Sequence, residues 1–200
     1  MMSNWVRAYR VFGALLILFA VGWQLGYLLR NIPDYRIGNF FSFFTILSNL
    51  LTVVTFLLCA RYGSRRFDQL RGAVTLYMTT TGIVYAILLS GIKVDTTVPW
   101  CNFVVHRLMP VVVLLDWVLD PPHRRLEFRR VLLWLVFPIA YLGYSLVRGP
   151  IVHWYPYPFL DPRRDGGYGR VAMTSAVIAI VVFGLAMAIR WAGHALRERK

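Results

Sequence analysis

The chain has 200 residues, of which 58% are hydrophobic and 16% are charged, with a mean hydropathy of +0.57. A soluble domain carries about a quarter charged residues, so this composition, with its apolar residues in long blocks, places the chain among polytopic membrane proteins. The net charge of +13 would favour nucleic-acid binding in a soluble protein. Here the arginines cluster between the apolar blocks, where they anchor loops to anionic headgroups, and no nucleic-acid partner is expected.

The apolar blocks predict six membrane-spanning segments in a single domain, residues 1–200. Each is close to the about 17–25 residues that a helix needs to cross the hydrocarbon core. Only helices or closed barrels satisfy backbone groups in lipid, and these runs do not alternate, so the predicted fold is an all-α bundle of six transmembrane helices. The first run is too long for a signal peptide and is expected to be retained. The predicted spans are 11–29, 40–60, 73–92, 99–119, 131–147 and 171–189.

The basic residues predict the orientation of the bundle. With six spans, both termini share one side with 14 of the 22 basic residues, 7 lie on the other side, and Arg107 lies inside a span. The positive-inside rule therefore predicts that both termini are cytoplasmic. Arginine makes up 20 of the 22, a bias typical of a GC-rich bacterial source, which favours a bacterial cytoplasmic membrane.

The second and fourth spans each contain a reactive side chain in apolar surroundings. Thr45 lies six residues after Asn39, and His106 lies six residues after Trp100. If both spans begin near those residues, Thr45 and His106 lie roughly 9 Å below the same face of the membrane. A hydroxyl and an imidazole are unfavourable in lipid unless they bond a polar partner or take part in chemistry. The two residues are therefore a candidate nucleophile and base.

Neighbouring polar residues extend this hypothesis. Ser48 and Asn49 lie on the same helical stripe as Thr45, and Asn102 lies one turn before His106, where its amide is expected to hydrogen-bond the imidazole and fix its tautomer. Candidate groups to stabilise an oxyanion or contact a substrate are Ser48, Asn49, Asn102, Arg107, His153 and Tyr157.

Proline and acidic residues complete the expectations for the fourth span. Pro110 cannot donate to the carbonyl of His106, which predicts a kink and a free carbonyl there. Asp116, about 15 Å further along, is too distant to orient the imidazole and is expected to pair with a loop arginine.

Structural interpretations of the same residues stay open. A hydroxyl within a span commonly bonds a backbone carbonyl or a neighbouring helix, and His106 can serve packing alone. His153 is also typical of an interfacial residue. Four histidines and two cysteines are scattered without a metal-ligand spacing, and no metal or cofactor is expected.

Three segments carry a resemblance to a known family. Residues 43–49 (Phe-Phe-Thr-Ile-Leu-Ser-Asn), 102–106 (Asn-Phe-Val-Val-His) and 154–161 (Trp-Tyr-Pro-Tyr-Pro-Phe-Leu-Asp) resemble the androgen-induced membrane proteins and the androgen-dependent TFPI-regulating proteins, with their bacterial relatives. The animal members are threonine hydrolases that cleave fatty acid esters of hydroxy fatty acids. The resemblance places the nucleophile on Thr45, the essential histidine on His106 and an asparagine on Asn102. Arg107 departs from the pattern, because the animal proteins carry a small polar residue there.

The resulting hypothesis is an intramembrane lipid ester hydrolase without a cofactor. A membrane lipid or lipid ester would enter sideways from the outer leaflet, and residues 155–161 would close the outer mouth and help exclude water. A small transporter and a non-catalytic lipid-binding protein remain alternatives, because transporters also place polar residues at kinked helices. The sequence leaves the oligomeric state open.

Overall fold

The computed structural model describes residues 4–91 and 97–198 and confirms the all-α prediction. Within these residues there is no β-strand, and six helices are long and apolar enough to cross a membrane. The protein is therefore a multi-pass integral membrane protein. The six helices are α1 (Asn4–Asn31), α2 (Phe44–Tyr62), α3 (Asp68–Leu89), α4 (Pro99–Leu119), α5 (Phe128–Val152) and α6 (Gly167–Glu198).

Six crossings bring the start of α1 and the end of α6 to one end of the bundle, called here the termini end. The opposite end, called the cap end, is covered by residues 153–166, the cap segment. Apolar packing forms two groups of side chains, one centred on α1, α2 and α4 and the other on α3, α5 and α6. Residues of α2 and α3 contribute to both groups, so the polar side chains of α2 lie along the boundary between them.

Several helix boundaries differ from the predicted spans, while α4 agrees with the predicted 99–119. Four helices extend beyond their apolar cores, because polar residues at the ends of a helix can lie outside the hydrocarbon region. The second span was wrong at its start: residues 37–43 form a short helix (Ile37–Phe40) and a turn, so α2 begins only at Phe44. The predicted end of the third span, Ile92, lies outside the described residues.

α5 continues to Val152 through Pro150, a position that the sequence assigned to the loop. A proline this close to the end of a helix removes one backbone hydrogen bond only. Gly149 then lets Tyr155 of the cap segment lie against α5, since a Cβ at residue 149 would lie 2.0 Å from the Tyr155 ring. The cap segment therefore packs directly against the end of α5.

Two helices contain a π-helical turn at the same level of the bundle, Tyr85–Leu89 in α3 and Val104–Leu108 in α4. The wider π turn shifts the faces of a helix and is frequent at functional sites. α3 and α4 approach closely just beyond these turns, where a Cβ on Gly82 would lie 3.1 Å from Pro110 and 3.7 Å from the His106 carbonyl oxygen. Both turns therefore shape the surroundings of His106.

A group of buried charges, called here the charge cluster, joins α1, α3 and α4 at the termini end. Arg10 Nε lies 2.6 Å from an Asp116 oxygen, and Arg10 Nη2 lies 2.8 Å from Asp120. Arg71 Nη2 lies 3.0 Å from the other Asp116 oxygen and also donates to the Asp120 carbonyl. Tyr9 donates a short hydrogen bond to Asp116. Both arginine side chains are almost completely buried.

The charge cluster corrects two expectations. Asp116 does not pair with a loop arginine, because its partners Arg10 and Arg71 lie within α1 and α3. Two of the fourteen basic residues assigned to the terminal side are therefore internal ion-pair partners rather than headgroup anchors. Two guanidinium groups can satisfy both carboxylate oxygens of Asp116, which is the condition under which buried charges are tolerated.

Candidate active site

Thr45 and His106 lie in contact near the cap end of the bundle. Thr45 Oγ1 is 3.2 Å from His106 Nε2, although the two residues are 61 positions apart in the chain. Thr45 is the second residue of α2 and is 5% exposed. The expected depth of six residues below the helix start was therefore wrong for Thr45. The contact still forms, because residues 37–43 cover the start of α2 and place it below the end of the bundle.

The main chain holds the histidine in one tautomer. His106 Nδ1 lies 3.2 Å from the carbonyl oxygen of Asn102, and a carbonyl can only accept, so Nδ1 carries the proton. Nε2 is then the unprotonated nitrogen that faces Thr45. The sequence expectation named the wrong group of Asn102, because the side-chain amide of Asn102 instead donates to the Tyr85 hydroxyl at 2.7 Å.

Tyr85 fixes the plane of the imidazole. Its ring is stacked on His106 with centroids 4.4 Å apart and an interplanar angle of 27°. The guanidinium carbon of Arg107 lies 5.6 Å from the centre of the same Tyr85 ring, on the outside of the bundle. Arg107 is exposed and lines neither of the two cavities described below, so its contact with the site runs through Tyr85.

The π turn in α4 leaves the Val105 carbonyl without a main-chain donor from Pro110. In this turn the Met109 amide donates to Val104, five residues earlier. Five residues before Pro110 is Val105, and its carbonyl accepts from the Asn49 side chain at 3.2 Å. The Val105 carbonyl is therefore satisfied by a residue of α2, while the free carbonyl expected on His106 stays a prediction. Asn49 Nδ2 also donates to the Thr45 carbonyl at 2.9 Å, so one amide ties the start of α2 to the π turn.

Two tyrosine hydroxyls accept the first amides of α2. The Phe44 amide donates to Tyr141 at 3.2 Å, and the Thr45 amide donates to Tyr157 at 3.3 Å. The Tyr157 hydroxyl also lies 3.3 Å from Thr45 Oγ1. Burial raises the pKa of Tyr157, which lies in the cap segment, so its phenol stays protonated and can donate to Thr45 Oγ1. The arrangement gives one directed chain from Tyr157 through Thr45 to His106 and Asn102.

A large cavity of about 800 Å³ lies on the His106 side of Thr45. This volume is within the range of pockets that enclose small-molecule ligands. Its wall combines apolar residues of α1 and α4 with polar groups near the cap end, among them Asn39, Asn102, Asp161 and Arg164. His106 lines this cavity and Thr45 forms part of its floor.

A small cavity of about 170 Å³ lies on the other side of Thr45, between α3, α5 and α6. Thr45 and Tyr157 line both cavities, whereas His106 lines only the large one. The wall of the small cavity is mainly aliphatic and aromatic. Besides the hydroxyls near Thr45, it contains those of Thr80, Thr81 and Ser175, and each of these three is buried without a hydrogen-bond partner among the described residues.

The small cavity opens sideways toward lipid. α6 packs against residues 128–135 of α5 but hardly approaches residues 136–152, so the two helices separate toward the cap end. Ile139 of α5 lines the small cavity and is 67% exposed. The wall of the cavity that Thr45 lines therefore includes a residue on the lipid-facing surface of the bundle.

An ion pair stabilises the cap segment in its position over the site. Arg163 donates to both oxygens of Asp161 at 2.8 and 2.7 Å and to the His153 carbonyl at 3.0 Å. The hydrogen bonds from Arg163 hold the pKa of Asp161 below its ordinary value. These contacts fix both ends of the stretch that carries Tyr157.

The structure separates the sequence-predicted residues into two groups. It brings together Thr45, His106, Asn49, Asn102 and Tyr157. Ser48 is completely buried, lines neither cavity, and its hydroxyl has no partner among the described residues.

His153 also stands apart from the site. It is an exposed residue with a positive φ of 53° at the end of α5, and its carbonyl accepts from Arg163. This placement fits its interfacial interpretation.

Sequence reasoning missed Tyr85 and Tyr141. Tyr85 is 21 positions before His106, and Tyr141 is 97 positions after Phe44. No motif spacing links such pairs. A tyrosine in a span was the available signal, because its hydroxyl needs a polar partner when it is buried.

Within residues 4–91 and 97–198, no group of three or more His, Cys, Asp or Glu side chains is placed to hold a metal ion.

Comparisons with known proteins do not assign a function to this site. A comparison of the chain with protein-family models, curated proteins and solved structures finds no match.

Proposed function

We propose that this protein is an intramembrane lipid ester hydrolase in which Thr45 is the nucleophile and His106 is the base. The observation that carries the proposal is the 3.2 Å contact between Thr45 Oγ1 and the unprotonated Nε2 of His106, beside a cavity large enough for a ligand. A nucleophile within hydrogen-bond reach of a base, with the base oriented by a third group, is the arrangement used in covalent hydrolysis.

The reaction follows in two steps. Thr45 gives its proton to His106 Nε2, and Oγ1 attacks the ester carbonyl carbon. The tetrahedral intermediate expels the alcohol oxygen, which takes the proton from His106 and leaves an acyl-threonine. A water molecule then gives a proton to His106 and attacks the acyl carbon, and the fatty acid departs as Thr45 regains its proton. The backbone carbonyl of Asn102 stabilises the transiently charged imidazole through Nδ1.

Tyr157 is the best-placed group to stabilise the oxyanion. Its hydroxyl lies 3.3 Å from Thr45 Oγ1 and is a neutral donor in a buried position. The Asn49 amide already donates to two carbonyls, and Ser48 and Arg107 do not line a cavity. The first turn of α2 adds the positive end of its helix dipole close to the developing charge.

The proposed substrate is a membrane lipid ester that enters between α5 and α6. The sideways opening, the apolar small cavity and the position of Thr45 near one end of the bundle support entry from one leaflet. From the positive-inside count we infer that both termini are cytoplasmic, and that the leaflet of entry is the outer one of a bacterial cytoplasmic membrane. Fatty acid esters of hydroxy fatty acids are the first substrates to test, because of the family resemblance.

The test is ester hydrolysis by detergent-purified protein. Wild type, Thr45→Ala and His106→Ala are compared on a fatty acid ester of a hydroxy fatty acid and on a generic acyl ester. Thr52→Ala is the matched control, because Thr52 is also buried in α2 but bonds the Ser48 carbonyl and lines neither cavity. We expect turnover by wild type and Thr52→Ala, and a loss of at least about 10³-fold in the two site variants.

Two results would overturn the proposal. Turnover that survives both site substitutions would exclude the threonine mechanism. No turnover of any ester by folded wild type, with lipid retained through purification, would assign the cavities to lipid binding instead. A transporter is less favoured, because the buried ion pairs of the charge cluster close the termini end.

A further inference from the structure

The position of Thr45 between two cavities has a chemical consequence that rests on the proposed function. Thr45 lines both cavities, and its Oγ1 becomes bonded to the acyl carbon during the reaction. The two substituents of that carbon, the acyl chain and the alcohol oxygen, must therefore point in different directions from Thr45. The two cavities provide two such directions.

The position of His106 decides which substituent occupies which cavity. After the attack, the imidazolium must hand its proton to the departing alcohol oxygen, so that oxygen lies within reach of Nε2. His106 lines only the large cavity. The alcohol part of the ester consequently lies in the large cavity, on the same side as the base.

The chemistry of the walls agrees with this assignment. The large cavity has polar groups near the cap end, including Asn39, Asp161 and Arg164, so it can hold a polar alcohol part and later the attacking water. The small cavity is narrow, is lined mainly by aliphatic and aromatic side chains, and opens toward lipid between α5 and α6. It is suited to a hydrocarbon chain that can extend into the membrane.

We propose that the small cavity is the acyl-chain subsite and the large cavity is the alcohol subsite, so that residues of α5 and α6 set the acyl-length preference. Ile178 is the most direct specificity-determining residue to change. It lines the small cavity from α6, is half-buried, and does not belong to the contacts of Thr45 or His106.

The experiment uses two series of esters. In the first, one alcohol is esterified with acyl chains from acetyl to palmitoyl. In the second, one short acyl group is joined to alcohols of increasing length. Wild type is compared with Ile178→Trp, which fills the small cavity, and Ile178→Ala, which widens it. Val177→Trp is the control, because Val177 is 56% exposed on the same helix and lines neither cavity.

Ile178→Trp and Ile178→Ala should change the acyl-length preference in opposite directions, and only in the acyl series. We expect Ile178→Trp to reduce kcat/KM for the palmitoyl ester about tenfold or more relative to the acetyl ester, since lost methylene contacts are worth about 10–200-fold each. Ile178→Ala should shift the preference toward longer acyl chains. The alcohol series should keep its wild-type profile in both variants, and Val177→Trp should leave both series unchanged.

The outcomes separate this inference from the function on which it depends. If Ile178 variants change the alcohol series instead, or change neither series while hydrolysis continues, the subsite assignment is wrong and the hydrolase survives. If folded wild type cleaves none of the esters, the proposed function fails and the subsite assignment fails with it.

Discussion

The charge cluster at the termini end and the Thr45 site at the cap end are two ways of placing polar groups inside one bundle. In the charge cluster, Arg10 and Arg71 bond both oxygens of Asp116, and Asp120, Tyr9 and Asp68 make further contacts. In the Thr45 site, four neutral groups, from Tyr157 to the Asn102 carbonyl, form a single chain of hydrogen bonds at 3.2–3.3 Å. Neither of the two cavities described above is lined by Asp116 or Arg71, whereas Thr45 lines both.

The difference shows that buried polar groups can either stabilise the fold or remain available for chemistry. Buried ions are tolerated when they are paired with opposite charges, and groups that are bonded to one another are less available to a substrate. Neutral groups are less unfavourable to bury, so they can remain lightly bonded next to open space. The charge cluster therefore stabilises the contact of α1, α3 and α4, and the Thr45 site is left available for a ligand.

The largest expected effect is at the charge cluster and concerns folding. Asp116→Ala removes one of the two carboxylates that the buried Arg10 and Arg71 share and leaves only Asp120 to both, which is expected to destabilise the protein by about 3–5 kcal/mol. Thermal unfolding in detergent measures the change. Asp165→Ala, at an exposed aspartate, is the control and should melt like wild type. Equal melting of Asp116→Ala and wild type would show that the ion pairs contribute little.

The next effect is at the Thr45 site and concerns rate. Tyr157→Phe removes the hydroxyl beside Thr45 Oγ1 and is expected to lower kcat by about 10²-fold. The same change leaves the Thr45 amide without its acceptor, so the melting temperature should also fall, and turnover is compared at a temperature where both proteins are folded. Ester hydrolysis under saturating substrate checks the value. Tyr144→Phe is the control, because the Tyr144 hydroxyl contacts Ser42 and lines neither cavity. Undiminished turnover in Tyr157→Phe would remove this residue from the oxyanion site.

A smaller effect is expected at Asn49, which joins the start of α2 to the π turn of α4. Asn49→Ala leaves the Val105 carbonyl without its donor and is expected to reduce the free energy of unfolding by about 1–3 kcal/mol. Ser48→Ala, at the preceding residue, removes a hydroxyl that has no partner among the described residues and should be nearly neutral. Chemical unfolding of both variants tests the contrast, and an equal loss in the two would contradict it.

The smallest effect concerns acid stability. Burial raises the pKa of Asp120, but Arg71, Ser64 and Arg10 outweigh it and hold that pKa below its ordinary value of 3.8. Because the folded pKa is the lower one, this stabilisation is fully present above the ordinary value and is lost as the pH falls through the lowered value. Melting temperature measured against pH should decline there in wild type, and less steeply in Asp120→Asn. Parallel curves would rule out a contribution from Asp120.

The fold was predictable because apolar blocks of sufficient length leave the backbone few choices in lipid. The six spans and the all-α class follow from Val, Leu, Ile and Phe runs that are local in sequence. Boundaries were less predictable: residues 40–43 are as apolar as the helix that follows them, yet they form a turn. Hydropathy measures how a residue partitions into lipid, and it does not register where a helix begins.

The candidate site was predictable only in part. Thr45 and His106 stood out as reactive groups in apolar spans, and Asn102 stood out by its spacing of four. The group of Asn102 that bonds the imidazole, the free carbonyl at Val105 and the stacking of Tyr85 all depend on the π turns. π turns are rare, and the residues of Tyr85–Leu89 and Val104–Leu108 carry no sequence pattern that distinguishes them from an α-helix.

By itself, the sequence determined that the chain crosses the membrane six times as helices, and which of these spans carry reactive groups. Both are properties of short stretches of sequence, because the hydrocarbon core of a membrane offers the backbone no hydrogen-bond partners. The tertiary structure alone decided that Thr45 meets His106 and Tyr157, that Arg10 and Arg71 serve Asp116, and that a cavity lies on each side of Thr45. These pairings join residues far apart in the chain, and only the packing of helices against one another brings them within hydrogen-bond distance.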